Sequence, residues 1–357
     1  MEPRSIAVVG VTRETGPTAF NIVQHLRNKG YQGQVFPVHP ALETLLGLKA
    51  YPSVDALPAG IDLAVVSTPR NTVPVLLEKC AARGIKAAVV IAQGFADADD
   101  EGKRLQAEIA RVVQQTGLRV MGPNTFGVAN AFLNLSTALP PLPLGRSPIA
   151  IICQTGFFFV GLARTCFGKV IDLGNACDVD FADSLEYLEH DPDIKVIALH
   201  IEGLRGGKRF FEVARRVANK KPLVALKTGR SERGARAAAS HTGSMAGRYQ
   251  AYAAAFRQAG IVQVEDVEEL EDVCQAFVRL PPLRGKRLGV TSWAGSTAVM
   301  SVDACEKHGI GLRASPRSRP PKCAVWEHQR GCRQKTLLTY GVTLVWLLST
   351  PASSNRA

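Results

Sequence analysis

Between Ser5 and Met121, short runs of β-branched and small apolar residues alternate with stretches of helical periodicity. That alternation constrains the fold more than any other feature. Ser5–Val9, Gln34–Pro37, Asp62–Val66, Ala87–Ile91 and Arg119–Met121 read as strands, and Thr18–Lys29, Val73–Arg83 and Glu101–Thr116 as helices. Successive strands joined by a helix pair in parallel, and a strand that is apolar throughout is covered on both faces. Residues 1–138 are therefore expected to form a Rossmann-like α/β domain.

The stretch Ala138–Pro148 carries Pro140, Pro141, Pro143, Pro148 and Gly145 and reads as a linker. A second series follows in residues 146–281. Its strands are expected at Ile149–Ile152, Lys169–Asp172, Val196–Ile201 and Pro222–Lys227. Its helices are expected at Phe181–Glu189, Arg209–Ala218, Gln250–Gln258 and Glu268–Leu280. This resembles a flavodoxin-like domain. After Pro281–Lys286, residues 286–312 supply one more strand, a Gly turn and a helix, the start of a truncated third α/β domain. Residues 313–357 break the pattern, with clustered Arg and Pro, Trp326, Trp346 and no amphipathic period. They read as out-of-frame sequence or an unrelated fused tail, non-native or disordered.

Charge bears on which partners are plausible. The net charge is +12, but residues 313–357 hold eight Lys/Arg against one acid, so seven of those charges sit in the tail. The remainder suits small anionic ligands as well as it suits RNA, and no nucleic-acid partner is expected. The apolar runs at Ile6–Val9 and Thr336–Thr350 are too short for a signal segment or a membrane span. A cytoplasmic protein is expected. The eight cysteines form no CxxC pair and no metal-ligand spacing, so neither a disulfide framework nor a metal site is expected.

Candidate chemistry gathers where strands end. Gly10 to Gly16 follows the first strand and precedes a helix, where backbone N–H groups and the helix terminus favour phosphate. Its spacing is not GxGxxG, and no acid is placed for a ribose, which argues against an NAD-dependent dehydrogenase. Val35–Pro40, Val66–Arg70 and Ile91–Phe95 end further strands in turn-forming residues at the same expected edge, and ligands of open parallel sheets bind outside that edge. In the second series, Ser240-His241-Thr242-Gly243-Ser244 places an imidazole among small residues, suited to a loop that swings between two sites. An imidazole nitrogen is a competent phosphoryl acceptor. Glu202 ends a buried strand and could fix the tautomer of such a histidine, and Gln154-Thr155-Gly156 ends another strand where N–H donors could meet a phosphoryl group. His200 is expected to pack; His25, His190 and His308 read as helix-surface residues.

Leu46–Val54 (LGLKAYPSV), Gly122-Pro123-Asn124, Leu173–Asp180 (LGNACDVD) and Gly229–Gly247 (GRSERGARAAASHTGSMAG) are similar to segments of the NDP-forming acyl-CoA synthetases. That family includes acetate–CoA ligase (ADP-forming) and is related to the succinyl-CoA synthetase α chain. The resemblance runs from about residue 5 to residue 312. It implies that the first domain binds CoA through Gly10, Thr12, Gly16, Pro37, Pro40, Pro69, Gln93, Gly94 and Asn124. It implies that His241 is transiently phosphorylated, that Glu202 orients it, and that Gln154, Thr155 and Gly156 bind phosphate. The implied reaction interconverts acyl-CoA, ADP and phosphate with acid, CoA and ATP. The substrates would be CoA, a small carboxylic acid and phosphate. ADP/ATP and Mg would be engaged only through an ATP-grasp β-type subunit or domain that is not visible in this sequence, within an oligomer.

Several positions depart from the family pattern. Cys153 replaces the usual Ser before Gln, Phe157–Phe159 replace small residues, and Thr125 replaces a frequent Cys. His39 and Ala41 stand where Asn and Lys are more usual, which removes one cation for CoA phosphates. A catalytically silent CoA or acyl-CoA binding and sensing module is the alternative reading.

Overall fold

The computed structural model describes residues 1–12, 15–16, 21–138, 142–156, 158, 162, 164–231, 233–234, 249–281, 287–291, 295–312 and 344–346. The chain divides into two compact units, Met1–Leu280 and Pro281–Ala357.

The first unit opens with strand β1 (Ser5–Val9), helix α1 (Ile22–Lys29), strand β2 (Gln34–Val38) and a small hairpin, β3 (Thr44–Leu45) and β4 (Leu48–Lys49). It continues through β5 (Leu63–Val66), α2 (Val73–Ala82), β6 (Ala87–Val90), α3 (Asp100–Thr116) and β7 (Arg119–Met121). The five strands lie in the order β2-β1-β5-β6-β7, all parallel. Alternate residues feed the two faces: Ala7 and Val9 join one apolar cluster, Ile6 and Val8 another. Each fully buried Ile, Leu or Val adds about 1.5–3 kcal/mol of transfer free energy, so a sheet covered on both faces recruits helices to each side.

Local chemistry sets the helix limits. The Asn21 side chain caps α1 by accepting from Gln24 N at 3.0 Å, and Gly30 ends it at φ 77°. Asp99 caps α3 by accepting from Gly102 N at 2.7 Å, and Leu105, Ile109 and Val112 bury one face of that helix.

The chain then changes sheet. Strands β8 (Val128–Asn130) and β9 (Leu135–Ser136) belong to the second sheet, with β8 antiparallel to strand β11 (Lys169–Asp172). That sheet is built from β10 (Ile149–Cys153), β11 (Lys169–Asp172), β12 (Val196–Ile201), β13 (Leu223–Lys227) and β14 (Val262–Val264). Helices α4 (Phe181–Glu189), α5 (Gly207–Ala218), α6 (Tyr249–Ala259) and α7 (Val267–Arg279) pack on it. The order is β14-β13-β12-β10-β11-β8-β9. The expected linker is not a solvated strap along its whole length, because Leu142 is buried in the core beneath this sheet.

Polar contacts join the two sheets near the ends of β7 and β11. Asp172 is fully buried and accepts from Phe126 N at 2.6 Å and Gly174 N at 3.3 Å. Burial pushes its carboxyl up to about 6, against the pull of those hydrogen bonds. Asn175 donates to Asp97 Oδ1 at 2.6 Å and to Gln106 Oε1 at 2.9 Å, tying the loop after β6 to the loop after β11.

The second unit contains β15 (Arg287–Thr291), α8 (Gly295–Lys307), β16 (Gly311–Leu312) and β17 (Leu344–Trp346). Strand β15 pairs in parallel with β16 and antiparallel with β17. Of the segment expected to be disordered, Leu344–Trp346 thus form a strand; its other residues lie outside those described. No helix among the described residues is long and apolar enough to cross a membrane, and none of their His, Cys, Asp or Glu side chains form a metal-binding group.

Candidate active site

The direction of build reverses beside β1 in the first sheet and beside β10 in the second, and the candidate residues gather at those two reversals. In the first sheet the chain steps from β1 outward to β2, then crosses to β5 on the other side of β1. In the second it steps from β10 to β11, then crosses to β12. Loops leaving the strand ends at such a point run in opposite directions and open a crevice.

At the first reversal, Gly10 follows β1 with φ 87°, and its N–H donates to Val38 O at 3.2 Å. A Cβ there would lie 2.6 Å from Ser67 O, so only glycine allows the β1 and β5 loops to approach this closely. Thr12 O accepts from Asn21 Nδ2 at 3.1 Å, which fixes the turn against α1. Gly16 donates to Gln24 Oε1 at 2.8 Å and accepts from Gln24 Nε2 at 3.2 Å. Pro37 lies within β2 opposite Val8, and Pro40 follows that strand. Pro69 precedes the short turn at Arg70–Thr72.

Gln93 and Gly94 lie in the loop after β6. Arg70 reaches over from the β5 loop, donating to Gly94 O and pairing with Asp99 at 3.0 Å. Asn124 adopts φ 59° after the cis Gly122–Pro123 bond; its N–H donates to Ala92 O at 2.9 Å and its amide to Asp97 Oδ2 at 3.3 Å. All nine expected CoA-site residues therefore lie in β2 or in the loops that leave the carboxyl ends of the first sheet.

At the second reversal, Gln154 leaves β10 and Glu202 leaves β12. The Gln154 side chain accepts from Glu202 N at 2.7 Å and Gly203 N at 2.9 Å, so the two strand ends are physically joined. This commits the Gln154 carboxamide oxygen to the turn. The Gln154 amide nitrogen, a donor, is not used in those two bonds, and Thr155 and Gly156 follow it. Gly156 packs against Phe126, where a Cβ would fall 1.8 Å from the ring. Of the segment beyond, Phe157, Phe159 to Gly161 and Ala163 lie outside the described residues, as does His241. The last described residues of the chain leading toward His241 are Ser231, Arg233 and Gly234, shortly after β13.

Two residues beside Glu202, Lys227 and Tyr252, were not singled out from sequence. Lys227, at the end of β13, is 1% exposed and donates to Glu202 O at 2.9 Å and to Thr228 O. Its ammonium lies 4.7 Å from the centre of the Tyr252 ring, and the Tyr252 hydroxyl accepts from Leu204 N at 3.2 Å. Cys153 lies beneath Gln154, with its thiol directed at Asp172 Oδ1 at 3.6 Å; burial, then Asp172, push that thiol well up. The signal for Lys227 was a lysine closing an apolar strand whose every residue is buried.

His200 packs, as expected. Its ring stacks on Phe158 at 4.1 Å, and Nε2 lies 3.4 Å from Thr228 Oγ1. Burial, reinforced by Lys227, drives its imidazolium down to about 3. The folded protein therefore refuses a proton that the unfolded chain accepts below about 6.5, so His200 contributes stability that is full above that pH and lost as pH falls towards 3. Comparing wild type with His200→Phe by urea unfolding, the stability difference should tilt towards wild type by about 1 kcal/mol per pH unit between pH 4 and 6. A difference that stays flat with pH would show that His200 is not held neutral.

Comparison with known proteins bears on the same two edges. Residues 4–131 match the model of a CoA binding domain, and residues 146–277 that of a succinyl-CoA ligase like flavodoxin domain. The α subunit of acetate–CoA ligase [ADP-forming] II from Pyrococcus furiosus is 38% identical over 317 residues, 87% of this chain and 68% of that one. The chain belongs to the NDP-forming acyl-CoA synthetase family. Another member, 4-hydroxybutyrate–CoA ligase [ADP-forming] from Nitrosopumilus maritimus, is 34% identical, with 46% of its length covered. Among solved structures, the dinucleotide forming acetyl-coenzyme A synthetase 1 of Ca. Korarchaeum cryptofilum, in complex with phosphate and ADP, superposes with a TM-score of 0.80 at 35% identity. That match covers 88% of this chain and 69% of the other. The chain thus spans about two thirds of the family's α subunits, and under half of the Nitrosopumilus synthetase.

Proposed function

We propose that this chain is the CoA-binding, phosphohistidine-bearing part of an acid–CoA ligase, interconverting acyl-CoA, ADP and phosphate with acid, CoA and ATP. The observation that carries the reading is the meeting of strand-end loops at two sheet reversals in a chain 38% identical to an acetate–CoA ligase α subunit. At one, Gly10 meets Ser67. At the other, Gln154 meets the Glu202 turn.

Phosphate attacks the thioester carbonyl, the C–S bond breaks, and CoA leaves as the thiol. The acyl phosphate then gives its phosphoryl group to an imidazole nitrogen of His241, releasing the acid. His241 carries that group to ADP, which forms ATP on an ATP-grasp partner subunit or domain; Mg acts there. Dividing the transfer keeps each step in line and at short range. The Gln154 amide nitrogen, Thr155 and Gly156 receive the phosphoryl group. The Glu202 carboxylate accepts from the second ring nitrogen of His241 and holds the attacking nitrogen in its basic tautomer. In the first domain, Gly10, Thr12, Gly16, Pro37, Pro40, Pro69, Gln93, Gly94 and Asn124 cradle CoA. The protein acts in the cytoplasm as part of an oligomer.

Incubating the full chain with acetyl-CoA and radioactive phosphate tests the reading. Acid-labile, base-stable label on the protein, matched by release of free CoA thiol, is the expected result. Saturable CoA binding with neither label nor thiol release would leave a sensing module in place of the enzyme.

A further inference from the structure

The turn that carries Glu202 is held by buried side chains from three other elements. Gln154, after β10, accepts from the N–H groups of Glu202 and Gly203. Lys227, on β13, donates to the Glu202 carbonyl. Tyr252, on α6, accepts from Leu204 N. Every one of these contacts engages backbone of the turn. Lys227 also donates to Thr228 O, at the root of the segment that leads to His241. One ammonium therefore links the Glu202 turn to the start of the His241 segment.

Burying that ammonium is costly, and no carboxylate offsets it directly. Among the described residues, no Asp or Glu oxygen forms an ion pair with Lys227. Its partners are two carbonyls and the Tyr252 ring. A methionine of similar length would fill the space without the desolvation cost. A cation kept at this position acts on charge. The titratable groups around it are His200 on β12, Glu202 just after it, Cys153 on β10, Asp172 on β11 behind Cys153, and Tyr252 on α6. His200 and Cys153 are held neutral by burial and Asp172 lies behind Cys153, so the acid that faces the Lys227 charge is Glu202, whose carbonyl Lys227 also holds.

We propose that Lys227 is a positioning residue for phosphoryl transfer: it fixes the Glu202 turn against the root of the His241 segment, and its charge keeps the Glu202 carboxylate ionised. This rests on the reading of Glu202 and His241 given above. Burial pushes the Lys227 ammonium down and Glu202 pulls it back up, which fits a mutual dependence of the two charges.

The test follows the initial rate of labelling from acetyl-CoA and radioactive phosphate against pH, in the full chain. Lys227→Met is expected to slow labelling about tenfold or more at neutral pH and to move the acid limb of the profile up by about one unit. Lys227→Arg is expected to return the limb to its wild-type position, and CoA binding should be unchanged in both. A Lys227→Met rate and limb that match wild type would overturn the proposal, as would a slower rate with an unmoved limb, which marks a merely structural lysine. Should Lys227→Met fail to fold, Tyr252→Phe decides, since it keeps the ring under the ammonium and removes only the acceptor for Leu204 N. A slower rate with intact CoA binding supports the clamp, and an unchanged rate overturns it. A wild-type chain that binds CoA but takes no label removes the enzymatic reading, and this inference falls with it.

Discussion

Replacing His241 by alanine should reduce acid-labile labelling from acetyl-CoA and radioactive phosphate to background while leaving CoA binding intact. The chain has seven histidines, and no other one whose surroundings are described is placed to take over. His200 lies nearest to Glu202, but it is 2% exposed, stacked on Phe158 and held as a very weak base. His39 Nδ1 accepts from Ala41 N on the first sheet's edge, and His190 lies exposed at the end of α4. Loss of the nucleophile removes the covalent route altogether, because the chain then has no imidazole in that segment to accept the phosphoryl group. Glu202→Gln should be milder, slowing labelling by on the order of 100-fold, since the imidazole remains and only its orientation and basicity suffer. Label that survives His241→Ala at the wild-type rate would place the phosphoryl group elsewhere.

Most parallel strands were legible because their central residues are apolar. Val196–Ile201 and Lys169–Asp172 were located to the residue, as were α4 and β7. The other elements of two or three residues, β14 among them, were not. Strand β4 lies inside a segment noticed only for its resemblance, with β3 just before it, and β8–β9 carry no period that would announce a move to the second sheet. Candidate residues at strand ends were visible as residues, but their meeting was not. Gln154 touches the Glu202 turn only because β12 lies beside β10, and strand order is a property of the assembled sheet. Buried charge was the least legible of all. Lys227 and Lys169 were placed on strands but not singled out, and the partners that hold them in the core lie 25 and 22 positions away, at Tyr252 and Asp191.

Lys169 leads to the largest expected effect on stability. It opens β11 at 1% exposure, and its ammonium pairs with Asp191, whose side chain is 2% exposed. The Tyr187 hydroxyl at 3.1 Å and Glu2 Oε1 at 3.4 Å complete its shell. Burial alone would push this lysine down; its hydrogen bonds to Asp191 and Tyr187 raise it above its ordinary value instead. Lys169→Ala strands a carboxylate in the core, at a cost of about 3–5 kcal/mol, and thermal melting should fall by roughly 10 °C. Lys169→Met combined with Asp191→Asn should recover most of that loss. It removes both charges, and the asparagine oxygen still accepts from Asp193 N, as Asp191 does at 3.0 Å. The pair sits at the amino end of β11, whereas Gln154 and Glu202 leave the carboxyl ends of its neighbours. Below its melting temperature the double variant should therefore label His241 at the wild-type rate. A single variant that loses less than about 1 kcal/mol would mean that the pair is solvated and that Asp191 does not depend on Lys169.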